Sequence, residues 1–215
     1  ELRTGVNVQQ GVYRAMQIAE SEPKGPVYMT AAREPLEEPG RVIDREKYGF
    51  KPVSPTGLGC ESLEAVVSAL VGAKRPLVIT SYLGRVKESV GELKKLCDAL
   101  AIPVIESNQV YINYPMDDVM YIGDDFSLVE KADVILSIDC DIPWPSSSSP
   151  SDDCRVFSLD VDPVKEYIPL WHINAERFMK CDACTSLRQI NNVLTSMILD
   201  TEAIEQRRAF VTEMH

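Results

Sequence analysis

The chain has 215 residues, with 22 Lys plus Arg against 33 Asp plus Glu and a formal net charge of −11. A content of 45% hydrophobic and 26% charged residues excludes wholesale disorder. The acidic balance and the lack of a dense Lys/Arg cluster exclude nucleic acid and an anionic membrane surface as partners, and no apolar run approaches the ~18 residues that span a bilayer.

The chain opens on Glu1-Leu2-Arg3-Thr4, with no starting Met and no signal peptide, so the sequence is expected to be a piece excised from a longer chain. Residues 7–20 carry helical spacing, with Val8, Val12, Ala15, Met16 and Ala19 on one face. Asn7 is placed to cap this helix, and Gln10 to complete a capping box. After the break at Pro23-Lys24-Gly25-Pro26, residues 26–31 read as a strand. Residues 32–59 hold Pro35, Pro39, Pro52, Pro55, Gly40, Gly49, Gly57 and Gly59 with no persistent period, and read as an inter-domain linker lying over a surface.

From Cys60 the pattern alternates. Leu63, Val66, Val67, Leu70 and Val71 predict a helix, and residues 76–81 a buried strand. Val86, Val90, Leu93, Leu96, Cys97 and Leu100 predict a second helix, followed by a strand over 102–107. Residues 108–124 read as irregular, 126–132 as a short helix and 133–138 as a strand. A polar loop with Ser146 to Ser149 leads to a strand over 155–160, a short strand near 177–181 and a helix over 183–199. The tail from Thr201 reads as a less apolar helix. Strands that are apolar on both faces, alternating with amphipathic helices, predict an α/β fold. The expected architecture is a doubly wound, mostly parallel Rossmann-like sheet of about five to six strands with helices on both faces.

In such a sheet ligands bind beyond the carboxyl ends of the strands. After the first strand, Ser81-Tyr82-Leu83-Gly84-Arg85 lacks the full GxGxxG pattern, which leaves Gly84 and Arg85 as candidate phosphate contacts or as a plain turn. After the second, Asn108, Tyr111, Asn113 and Tyr114 suit either a pocket or an interface. Asp160 and Asp162, after the fourth, suit ribose hydroxyls or an Asp-Pro turn. Asp139 and Asp141 suit a metal or a solvated loop, the latter favoured by Trp144, Pro143, Pro145 and Pro150. Cys181-Asp182-Ala183-Cys184 is a C-x-x-C, half of a zinc site or a redox pair. The six cysteines are otherwise expected to be reduced, in an intracellular protein. A Ser-His-Asp hydrolase would rest on His172, since His215 is terminal, and no G-x-S-x-G supports it. No catalytic residue is assigned, and no resident metal site.

The order of segments resembles the thiamine diphosphate enzymes of the acetolactate synthase group. The stretch Arg14 to Glu38, with AESEPKGPVYMTAARE over residues 19–34, resembles the close of that family's pyrimidine-binding domain. The family's "A.RPLV..G" is similar to Ala73 to Gly84, "L.....IPV..S" to Leu96 to Ser107, and "YP" to Tyr114-Pro115. "ADVIL.I" is similar to Ala132 to Ile138, and "V..IDVDP" to Val156 to Pro163. The resemblance implies that 1–31 ends a pyrimidine-binding domain, 32–59 links, 60–199 is the central domain, and 200–215 leads toward a diphosphate-binding domain. It implies thiamine diphosphate and Mg²⁺ in the parent enzyme, held outside this chain. The fragment itself would be inactive. The parent would be a cytoplasmic or mitochondrial transferase or lyase acting on 2-oxoacids, a homo-oligomer (dimer or tetramer) whose other domains are the partners. Flavin-binding members carry a GGG turn where this chain has Ser81-Tyr82-Leu83-Gly84, so FAD or ADP in this domain stays open. The competing readings are a free-standing NAD-, ADP- or FAD-binding module, such as a sirtuin-like deacylase, and a cysteine-ligated zinc or redox protein.

Overall fold

A computed structural model describes residues 1–44, 46, 51–169 and 172–214 of the chain. Gly49 and His215, which figure in the expectations above, lie outside the described residues. The chain divides into two units, Glu1–Pro55 and Thr56–His215, so the border falls within the segment expected to link domains.

In the first unit, helix α1 (Val8–Glu20) forms as the apolar spacing predicts. The expected capping box is not used. The helix is entered through a 3-10 turn, Gly5–Asn7, and Thr4 caps that turn by accepting from Val6 N at 3.2 Å, while Asn7 makes no side-chain cap. The strand expected over 26–31 does not form. One bridge joins Leu2 to Ala31, and Tyr28 is 91% exposed. A strand is a paired object, and among the described residues this segment has no partner strand beyond that bridge. Arg33–Glu37 adds a short helix, α2, in what read as linker. Two further points of that segment, Ile43 and Lys51, are tied to α1 by side chains. Gln9 bonds Ile43 through both amide ends, at 2.7 and 3.1 Å, and Gln17 donates to Lys51 O at 2.8 Å.

The second unit is a six-stranded, all-parallel sheet among the described residues. Its strands are β1 (Pro76–Thr80), β2 (Val104–Glu106), β3 (Tyr121–Gly123), β4 (Val134–Ile138), β5 (Arg155–Asp160) and β6 (Arg177–Lys180). They lie in the order β3-β2-β1-β4-β5-β6. The sheet is open, and the α/β, Rossmann-like expectation holds. Strand β3 falls inside the stretch read as irregular. Its three residues are only half-buried and pair with β2 through a register shift, so no apolar run announces it.

Alternation along the strands feeds two cores. Val78, Val104, Leu136, Phe157 and Leu159 pack under α3 (Cys60–Gly72), α4 (Lys87–Leu100) and α6 (Ala183–Leu194). Leu77, Ile79, Ile105, Ile135 and Val156 pack on the other face with α5 (Ser127–Lys131). Helix α6 ends at Leu194, earlier than expected, and is opened by Asp182, which accepts from Thr185 N at 2.7 Å. Among the described residues no helix is long and apolar enough to cross a membrane.

The tail forms helix α7 (Thr201–Thr212) and joins this unit. Val211 is buried in the larger core, and Phe210 stacks with the Arg75 guanidinium 5.6 Å from its ring centre. Arg207 is 5% exposed and serves as a shared cap. Its guanidinium donates to Leu70 O at 3.3 Å, Val71 O at 2.7 Å and Ala73 O at the end of α3, and to Leu100 O, 3.1 Å away, at the end of α4. These are carbonyls that a helix cannot satisfy internally. Burial pulls the Arg207 guanidinium below its ordinary value, with Asp133 and Asp200 opposing. Arg207→Met keeps most of the stem and strands these carbonyls. Urea unfolding should show a loss of about 3 kcal/mol, and a loss below about 0.5 kcal/mol would refute the capping role.

Candidate functional site

Strand order reverses between β1 and β4, and an open parallel sheet offers its ligand crevice beyond the carboxyl ends of such a pair. Four loops meet there. Three of their non-glycine residues adopt left-handed backbone: Asn108 (φ 48°), Asp139 (φ 45°) and Lys165 (φ 50°). Such residues cost energy and collect where the surrounding structure holds them in place.

The loop after β1 makes a 3-10 turn, Leu83–Arg85. Its amides are already engaged. Ser81 N and Tyr82 N donate to Asp139 O at 3.2 and 3.1 Å, Arg85 N to Tyr82 O at 3.0 Å, and Gly84 N to Asn113 Oδ1 at 2.9 Å. Gly84 is required for close approach. A Cβ there would lie 2.1 Å from Ile112 O. Asn113 is fully buried and its Nδ2 donates to Ser81 O, Tyr111 O and Glu106 Oε1, each at 2.9 Å. Glu106, the last residue of β2, also accepts from Tyr121 OH at 3.1 Å.

Asp139 follows β4 and is 1% exposed, so it is no solvated loop residue. Arg85 Nη2 reaches both its carboxylate oxygens, at 3.3 and 3.2 Å. Burial pushes the Asp139 carboxyl up to about 7, with Arg85 holding it down and Asp160 and Asp182 adding to the rise. Asp160, at the end of β5, is also 1% exposed. Its Oδ2 accepts from Tyr82 OH at 2.6 Å and from Lys165 Nζ at 2.7 Å, and its Oδ1 from Asp162 N at 2.8 Å. Lys165 Nζ lies 3.0 Å from Asp141 Oδ1 and donates to Tyr82 OH at 2.5 Å. Burial drives the Tyr82 hydroxyl up, and the Asp160 charge adds to it. The Lys165 ammonium is held above its ordinary value because Asp160 and Asp141 outweigh the cost of burial.

Gly84, Arg85 and Asp160 therefore meet at one crevice, bonded to protein groups. Asp162 is half-buried beside it and accepts through its carbonyl from Lys165 N at 3.2 Å. Lys165, Asn113 as a turn ligand and Glu106 were not distinguished by sequence reasoning. Their partners lie 83, 29 and 15 positions away for Tyr82, Gly84 and Tyr121 respectively, so no local spacing marks them. Asp139 and Asp141 part company, one under Arg85 and one beside Lys165. Among the described residues no group of three or more His, Cys, Asp and Glu side chains could hold a metal ion. All six cysteines are free. Cys181 and Cys184 are buried, and burial pushes the Cys181 thiol up to about 11, opposite to what a redox C-x-x-C requires. His172 is exposed. Beyond β2 and β3 lies an open cleft of about 580 Å³, lined among others by Glu106, Asn108, Tyr121, Asp124, Phe126 and Ile142.

Two outcomes follow from this geometry. Gly84→Ala should cost about 3 kcal/mol in urea unfolding, because its Cβ meets backbone. An alanine variant as stable as the parent would sink the close-approach argument. Asp139 holds its proton more tightly folded than unfolded, between about 3.9 unfolded and about 7 folded. It therefore makes stability fall as pH rises through that window. Asp139→Asn should flatten the slope of unfolding free energy there by up to about 1.4 kcal/mol per pH unit. Unfolding curves across the window check this, and an unchanged slope contradicts it.

No family model and no curated protein matches the chain. Solved structures do. One is a benzoylformate decarboxylase from Polynucleobacter necessarius, with a TM-score of 0.70 and 16% identity over 93% of this chain and 42% of that one. Another is a thiamine diphosphate-dependent 4-hydroxybenzoylformate decarboxylase from Rhodococcus jostii, with a TM-score of 0.71 and 16% identity over 90% of this chain and 38% of that one. The chain thus shares the fold of part of these two decarboxylases and spans about two fifths of their length.

Proposed function

We propose that the chain is the central, non-catalytic part of a thiamine diphosphate- and Mg²⁺-dependent enzyme acting on 2-oxoacids, by decarboxylation or acetolactate synthase-like carboligation. The carrying observation is the shared fold over nine-tenths of this chain, which matches only about two fifths of decarboxylase chains. In this reading residues 1–31 end the pyrimidine-binding domain, 32–59 link, 60–199 form the central domain and 200–215 lead onward. Thiamine diphosphate and Mg²⁺ would be held by the neighbouring domains, and the assembled enzyme would be a dimer or tetramer. The role of the Thr56–His215 unit is architectural. Its crevice groups named above bond one another. The free cysteines suit an intracellular enzyme, cytoplasmic or mitochondrial.

Two measurements test this. Calorimetry of the 215-residue chain with thiamine diphosphate and Mg²⁺ should give no binding heat. The natural full-length polypeptide should release CO₂ from benzoylformate or pyruvate, or transfer their acyl groups, only when thiamine diphosphate is supplied. Tight binding by the isolated chain, or a full-length protein indifferent to the cofactor, would overturn the reading.

A further inference from the structure

We propose that the β1–β4 crevice is plugged from within, with the Lys165 ammonium as its built-in ligand, and that it therefore accepts no FAD, NAD or ADP. The inference does not depend on the parent's reaction.

A dinucleotide needs three things from such a crevice: backbone N–H groups for its diphosphate, a carboxylate for its ribose, and room. The amides of Ser81, Tyr82, Gly84 and Arg85 all donate to protein acceptors. A diphosphate oxygen at Gly84 N would have to displace the Asn113 side chain, which is fully buried and bonded at both ends of its amide. At the end of β5, both oxygens of Asp160 are spoken for by Tyr82, Lys165 and Asp162. At the end of β2, Glu106 is tied to Asn113 and Tyr121.

Charge argues the same way. The charged groups in and beside the crevice are Glu106 at the end of β2, Asp139 and Asp141 after β4, Asp160 at the end of β5, Asp162 after it, Arg85 after β1 and Lys165 after β5. Acidic side chains outnumber the two cations, which makes a place for an ammonium and a poor place for a diphosphate.

The plug is delivered by a short strap. Val164 and Tyr167 on it are 53% and 90% exposed, while Lys165 between them is 6% exposed. The lysine takes left-handed backbone at φ 50°, which points to an inward pull exerted by its partners. Its Nζ meets Asp160, Asp141 and Tyr82 together. This is an alkylammonium bound to a carboxylate-lined seat, with the ligand tethered to its own receptor.

A tethered ligand can be cut away and supplied from solution. In the full chain, Lys165→Ala should lower the melting temperature by on the order of 10 °C, because Asp160 stays buried without its counter-ion. Millimolar n-propylammonium should restore much of that loss saturably. It should leave the parent unmoved, and tetramethylammonium at equal ionic strength should restore neither. Titration of the parent with ADP, NAD and FAD should give no thermal shift. A saturable rise with any of the three overturns the proposal. So does a Lys165→Ala protein that matches the parent, or one that is destabilised yet deaf to propylammonium. Should that variant fail to fold, Tyr82→Phe removes one ammonium contact at constant shape. It should melt a few degrees lower, and the nucleotide titration of the parent then decides by itself. Nucleotide binding would leave the central-domain reading intact, and a full-length enzyme that ignores thiamine diphosphate would leave the plug intact.

Discussion

Parallel strands pair only when the chain returns to the same starting edge, so successive strands need a crossover, and the crossovers cover both faces. That constraint organises the Thr56–His215 unit. It buries β1, β4 and β5 on both sides, as their continuous apolar runs require. It also sends every strand out at one edge, where the following loops must meet. The crevice is thus a by-product of topology, and what fills it is decided by a few side chains.

What fills it here is an excess of acid in a poorly solvated place. Three strand-end carboxylates would be expensive without counter-charge. The chain supplies Arg85 from the turn after β1 and Lys165 from the loop after β5, and it commits Asn113 to the remaining backbone donor. The cost shows in backbone that three non-glycine residues adopt only under duress. The same fold can host a cofactor, but this set of side chains satisfies itself.

Much of the scaffold was legible. The runs PLVIT, VILSI and RVFSLD are strands because they are apolar enough to be buried twice over. The helix faces were legible for the same reason. Legibility failed where a partner decides the outcome. Residues 26–31 have strand-like composition but, among the described residues, only one bridge to pair with, whereas Tyr121–Gly123 has poor composition and a good partner in β2. The site was half legible. Gly84, Arg85 and Asp160 stand at strand ends and could be nominated from pattern alone. Lys165 could not, because its meaning comes from Tyr82, 83 positions back. Asp139 misread as solvated because its prolines and neighbours look like loop, while Arg85 draws it inside.

The cap made by Arg207 reaches back across the chain to carbonyls 137 and 107 positions earlier. In vectorial synthesis α3 and α4 can therefore form long before their carboxyl ends are sealed. Until residue 207 clears the ribosome exit tunnel, those ends are open to water and to chaperones. Helix α7 therefore seals the layer after the helices it caps: α3 and α4 can form early, but their carboxyl ends are satisfied only once Arg207 has been made.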